Sequence, residues 1–147
     1  MINKKSYEMR DFKVDKNIKK EKTSYQFNHN LLLISLITLI VIGSTYYWID
    51  ERNEFFEPFW IIVLSIWNVM IGFSLFLVFR KTKSGYVMAG VLSWITIAFW
   101  MFDNSHIFFG LSLIASEPNL FMVIKNFTGV TIAGLAVFSS HNAFHKI

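Results

Sequence analysis

The stretch from Phe59 to Phe79, FWIIVLSIWNVMIGFSLFLVF, decides the fold, because it runs for 21 residues without a charged side chain. A helix rises ~1.5 Å per residue and the hydrocarbon layer of a bilayer is ~30 Å thick, so a segment of this length fits a transmembrane helix. Three further apolar runs flank it: Leu31 to Ile49, Gly85 to Phe102, and Leu120 to Ser139, the last interrupted near its start by Lys125 and Asn126. The expected fold is all-α, an integral membrane four-helix bundle with spans at about 31–49, 59–79, 85–102 and 120–139. Residues 31–147 form its transmembrane domain and residues 1–30 a basic tail. Composition agrees: 147 residues that are 54% hydrophobic and 16% charged carry more apolar surface than a soluble domain of this size could cover.

Charge sets the expected orientation. Residues 1–30 hold eight Lys or Arg, the second loop holds Arg80, Lys81 and Lys83, and Lys146 follows the last span. The opposite side has Arg52 and Lys125 among the acids Asp50, Glu51, Glu54, Glu57, Asp103 and Glu117. By the positive-inside rule both termini are cytoplasmic, which an even number of spans permits, and the protein is expected in the plasma membrane of a prokaryote. The first run follows basic residues as a signal peptide would. Thirty residues precede it and no A-x-A site follows, so an uncleaved anchor is expected.

The tail does not keep a helical stripe: Met9, Phe12, Val14 and Ile18 are scattered, so a solvated, partly disordered arm is expected. Its lysines would hold it against anionic lipid or an acidic partner, with no nucleic-acid role expected beside a membrane. The loops DERNEFFEP and RKTKSG are short and imply antiparallel neighbours. Trp48 and Trp60 belong to an aromatic belt expected to touch lipid or a partner. The third loop, Asn104 to Pro118, is different, since Ile107, Phe108, Phe109 and Leu111 are too apolar to sit in water. It lies in the interface, dips back into the bilayer, or is covered by another protein. Ser116, Glu117 and Pro118 read as the N-terminal signals of the fourth span.

Small residues mark the faces where helices approach. Gly129, Ala133, Ala136 and Ser140 share one face of the fourth span, and Ala89, Ser93 and Thr96 one face of the third. Asn68 is expected to make an interhelical hydrogen bond.

Candidate chemistry is sparse. Cysteine is absent from the sequence, which excludes disulfides, thiolate metal sites and the four-span families built on thiol chemistry. Asp103 and His106 stand at i and i+3, where carboxylate and imidazole could bind a metal or relay protons. Two ligands fall short of the usual three or four, and the bland alternative is a helix end whose Asp and His face water. His141 and His145 stand at i and i+4, a metal-sharing spacing, with His29 on the same membrane side. The macrodipole favours histidine near a helix C-terminus without any metal. No histidine falls inside the four runs, which argues against a bis-His haem. In size the chain resembles the small multidrug transporters, but LLLISLITLIVIGS lacks their acidic residue. A small transporter would have to work through Asn68 or Lys125.

In layout, with a basic tail, aromatic-rich spans, no cysteine and a Lys-, Asn- and Ile-heavy composition, the chain resembles the small accessory subunits of copper membrane monooxygenases, in particular those of archaeal ammonia monooxygenase. The catalytic members of that family carry an Asp or Glu and two His on a membrane helix. FDNSHIFF has Asp103 and His106 but lacks the second His, so the resemblance implies a structural role, with any copper held by partner subunits. The leading expectation is a noncatalytic subunit of a larger membrane oxidoreductase. The alternative is a small metal-binding or proton-relaying membrane enzyme using Asp103 and His106.

Overall fold

The computed structural model describes residues 4–45, 57–104, 109 and 120–147. These form four helices and no strand: α1 (Lys4–Ser44), α2 (Glu57–Phe79), α3 (Lys83–Asp103) and α4 (Leu120–Phe144). Each holds a segment long and apolar enough to cross a membrane: Ile18–Ser44, Pro58–Phe79, Lys83–Asp103 and Leu120–Phe144. The architecture is a multi-pass, all-α membrane bundle.

Helices adjacent in sequence pack together, and α1 closes the ring against α4. The core is where their inward stripes meet. Leu32, Leu36 and Leu39 come from α1, Ile71 and Val78 from α2, Tyr86, Ala89 and Leu92 from α3, and Ala133, Ala136 and Ala143 from α4. These positions recur at three and four residues, the spacing of one helical face. The outer faces carry Ile34, Val41, Trp94, Phe102 and Phe138, all exposed and suited to lipid contact.

The basic tail needs correction. Residues from Lys4 onward are not an irregular arm but the first half of α1, a 41-residue helix about 60 Å long. The physical reason is that a stripe is needed to dock a helix and not to form one. No Gly or Pro occurs before Gly43, and Lys, Glu, Arg, Met and Gln are good helix formers. Lys146, just past α4, donates to Ser24 Oγ, so α1 continues for 20 residues, about 30 Å, beyond the level where α4 ends.

The α2–α3 turn closes with Thr82 N donating to Leu77 O (3.1 Å) and Lys81 N to Val78 O (2.8 Å). This is a Schellman end, with Lys81 at φ 55° where glycine is usual. Thr82 then caps α3, its Oγ1 accepting from Gly85 N at 3.1 Å. A Cβ at Gly85 would stand 2.6 Å from the Leu77 carbonyl carbon, so this glycine lets the two helices touch at their joint.

Between α3 and α4 the approach is closest at Gly129, where a Cβ would lie 1.8 Å from the Trp100 ring. Ala89, Ser93, Thr96, Ala133, Ala136 and Ser140 are all buried. Trp60, expected to face lipid or a partner, instead turns inward. It is 9% exposed and meets Phe99 edge-on at 5.3 Å between ring centroids, an arrangement that aromatic quadrupoles favour. Phe109 is 77% exposed. Trp48, Ile107, Phe108, Leu111 and the Ser116–Pro118 signals lie outside the described residues.

Candidate functional site

Two buried polar clusters lie at opposite ends of the bundle. The first is built where α3 ends beside the start of α4. Asn104 is the C-cap of α3, its backbone N–H donating to Trp100 O at 3.0 Å, and this places Asp103 and Asn104 against Asn126 of α4. Asn126 Nδ2 donates to Asp103 Oδ2 (2.9 Å) and to Asn104 Oδ1 (3.0 Å).

One carboxylate thereby sets the orientation of both amides. Asp103 accepts only from the nitrogen end of Asn126, and Asn104 must turn its oxygen toward the same nitrogen. Asn126 Oδ1 and Asn104 Nδ2 consequently point elsewhere, buried and without a hydrogen-bond partner.

The expected water-facing helix end is thus corrected: Asp103 is 0% exposed, because α4 covers it. Lys125, which the charge pattern sets on the outer side, is only 8% exposed. His106 lies outside the described residues. Asn126 was legible in the sequence as the next member of the face that continues through Gly129, Ala133, Ala136 and Ser140. Yet a polar residue beside Lys125 looks like an interruption of a span, so the sequence alone does not single Asn126 out as a packing residue.

The second cluster joins α1 to α3. Tyr86 is fully buried, and its hydroxyl lies 2.6 Å from His29 Nδ1 and 2.9 Å from the Tyr25 hydroxyl. Tyr25 and His29, at i and i+4, stack with centroids 5.9 Å apart. Ser140 Oγ of α4 donates to the Tyr86 carbonyl at 2.8 Å, so three helices meet at one residue. A single phenol O–H can donate to only one acceptor, so Tyr86 donates to one of its two neighbours and accepts from the other, with the His29 tautomer setting which.

This cluster places His29, two residues before the first apolar run, against Tyr86 rather than against His141 and His145, whose rings meet edge-on at 4.5 Å. Among the described residues no group of three or more His, Asp or Glu side chains is placed to hold a metal.

In the middle of the bundle Trp67 Nε1 donates to Thr96 Oγ1 at 2.9 Å, linking α2 to α3. Asn68, from which that link was expected, leaves its Oδ1 buried without a partner. Both deep clusters act chemically as interhelical clamps, pairing polar groups across helices where lipid offers no partner, although the first leaves Asn126 Oδ1 and Asn104 Nδ2 unpaired.

Comparison with protein-family models, with curated proteins and with solved structures finds no match to the chain.

Proposed function

We propose that this chain is a noncatalytic accessory subunit of a larger membrane complex, an oxidoreductase of the ammonia monooxygenase type, in a prokaryotic plasma membrane with both termini cytoplasmic. The observation that carries the reading is the outer face of α2. Phe59, Ile62, Ile66, Val69, Phe73 and Phe76 are all exposed and recur at spacings of three and four. Only 17% of the α2 span is buried, against 33–39% for the other three, so α2 has the most surface left to offer a neighbour. A seam with this repeat suits knobs-into-holes packing with another helix. The kind of complex rests on the resemblance in layout, and any copper belongs to its partner subunits.

Lipid can cover the same side chains, so co-purification decides between the two. Extraction of the native membrane in mild detergent should bring the chain down with larger subunits, and a stable, solitary monomer counts against the proposal.

A second reading, a proton- or metal-handling site, is favoured by one observation, the fully buried Asp103. Metal content and activity of the purified protein, compared with Asp103→Asn and His106→Ala, test it. Unchanged values in both variants remove it.

A further inference from the structure

The end of the bundle that carries the α2–α3 turn gathers exposed cations: Lys19, Lys20 and Lys22 on α1, Arg80, Lys81 and Lys83 at the turn, and Lys146 past α4. Glu21 is the one acidic side chain described at this end. Here a cleft of about 530 Å³ opens between α1 and the chain beyond α4, within the ~300–1,000 Å³ range of ligand sites. Ile18, Glu21, Lys22 and Tyr25 form its α1 wall, and His145 and Lys146 stand opposite.

These walls are held in place. The Lys146 ammonium donates to Ser24 Oγ, fixing one wall to the other. Tyr25 is bonded to Tyr86, which is itself tied to His29 and Ser140. Depth matters as well: Tyr25 is bonded to Tyr86, in α3 just past the α2–α3 turn, so the cleft lies level with the ends of the α2 and α3 spans, where the polar and apolar layers of a bilayer meet. Lipid phosphates occupy that level.

We propose that this cleft binds the phosphate of an anionic glycerophospholipid. Lys22 and Lys146 bring ammonium groups from opposite walls, His145 adds a ring N–H, and Ile18 and Tyr25 supply the apolar side for the glycerol backbone and first methylenes. Glu21, in the same cleft, opposes the anion. The site goes beyond the accessory-subunit reading and does not depend on it.

The test uses the full chain in mild detergent, with native mass spectrometry reading adducts of phosphatidylglycerol and phosphatidylcholine that carry identical acyl chains. Phosphatidylglycerol should be retained at least about fivefold better, with a loss of about fivefold for each lysine removed. The double variant Lys22→Gln, Lys146→Gln should therefore lose the preference and Glu21→Gln should strengthen it. Lys81→Gln with Lys83→Gln, outside the cleft, should leave it unchanged.

Equal retention of the two lipids overturns the proposal, as does a preference that survives the double variant or disappears with the turn variant. Displacement by millimolar inorganic phosphate would show a free-anion site and overturn the lipid assignment. Circular dichroism checks that each variant is folded. The single Lys22→Gln, at an exposed position, carries the test if the double variant is not.

Discussion

Tyr86 shows how much of a membrane bundle can hang on one hydroxyl. Its phenol serves His29 and Tyr25 of α1 while its backbone carbonyl serves Ser140 of α4. Tyr86→Phe keeps the ring and removes only the oxygen, leaving His29 Nδ1 without this partner. A loss of about 1–3 kcal/mol is expected, measured as an earlier midpoint when helicity is followed during SDS unfolding. A midpoint equal to wild type would show that water or lipid replaces the phenol at no cost. Asn126→Leu makes the corresponding test at the other end, since it removes the one amide that serves both Asp103 and Asn104. It too should cost about 1–3 kcal/mol, whereas Thr131→Ala, at an exposed position, should cost little. Single residues were also where the sequence misled most. Asp103 was visible as an oddity, but its burial depends on α4 lying across it, and nothing local in FDNSHIFF reveals that neighbour. His29 stands two residues before the apolar stretch that begins at Leu31, and although Tyr25 and His29 share a helical face, their partner Tyr86 lies on another helix that the local sequence does not name.

At the scale of elements, the three later helices were legible almost to their ends, because a run of apolar residues as long as a bilayer is thick admits few other structures. The first helix was half legible. Its apolar part announced itself, and its charged part did not, since hydropathy reports where a helix can dock and says little about how far it continues. The joints are testable in both directions. Lys81 holds the left-handed conformation that terminates α2, which costs a side-chain-bearing residue roughly 1–2 kcal/mol. Lys81→Gly should stabilise the protein by roughly 0.5–1 kcal/mol in the same SDS titration, and a destabilised variant would mean that the lysine side chain contributes more than the strain it causes. Gly129→Val should act in the opposite sense. The Trp100 ring occupies the space the new side chain needs, so α3 and α4 must separate, at a cost of about 1–3 kcal/mol.

For the whole molecule, the sequence was sufficient for class and insufficient for role. Charge, length and hydropathy lead to a four-helix membrane bundle without a cysteine or a motif to lean on. The ring of helices then uses many of its deep polar groups in holding itself together: Asn126 with Asp103 and Asn104, Trp67 with Thr96, and Tyr86 with Tyr25, His29 and Ser140. Among the described residues, what remains turned outward is chiefly apolar along the spans and basic at one end. The exposed seam on α2 is the part of that surface most suited to another helix, and it gives the accessory-subunit proposal a specific point of failure. The direct measurement is native purification of the tagged full-length chain from its own membranes, wild type beside Ile66→Trp, Val69→Trp. These substitutions enlarge two side chains at the centre of the seam while leaving them apolar. The wild type should comigrate with larger subunits at constant stoichiometry, and the variant should fold and insert but lose them. A wild-type chain that runs alone as a monodisperse monomer, or a variant that keeps the same companions, would contradict the proposed role of α2.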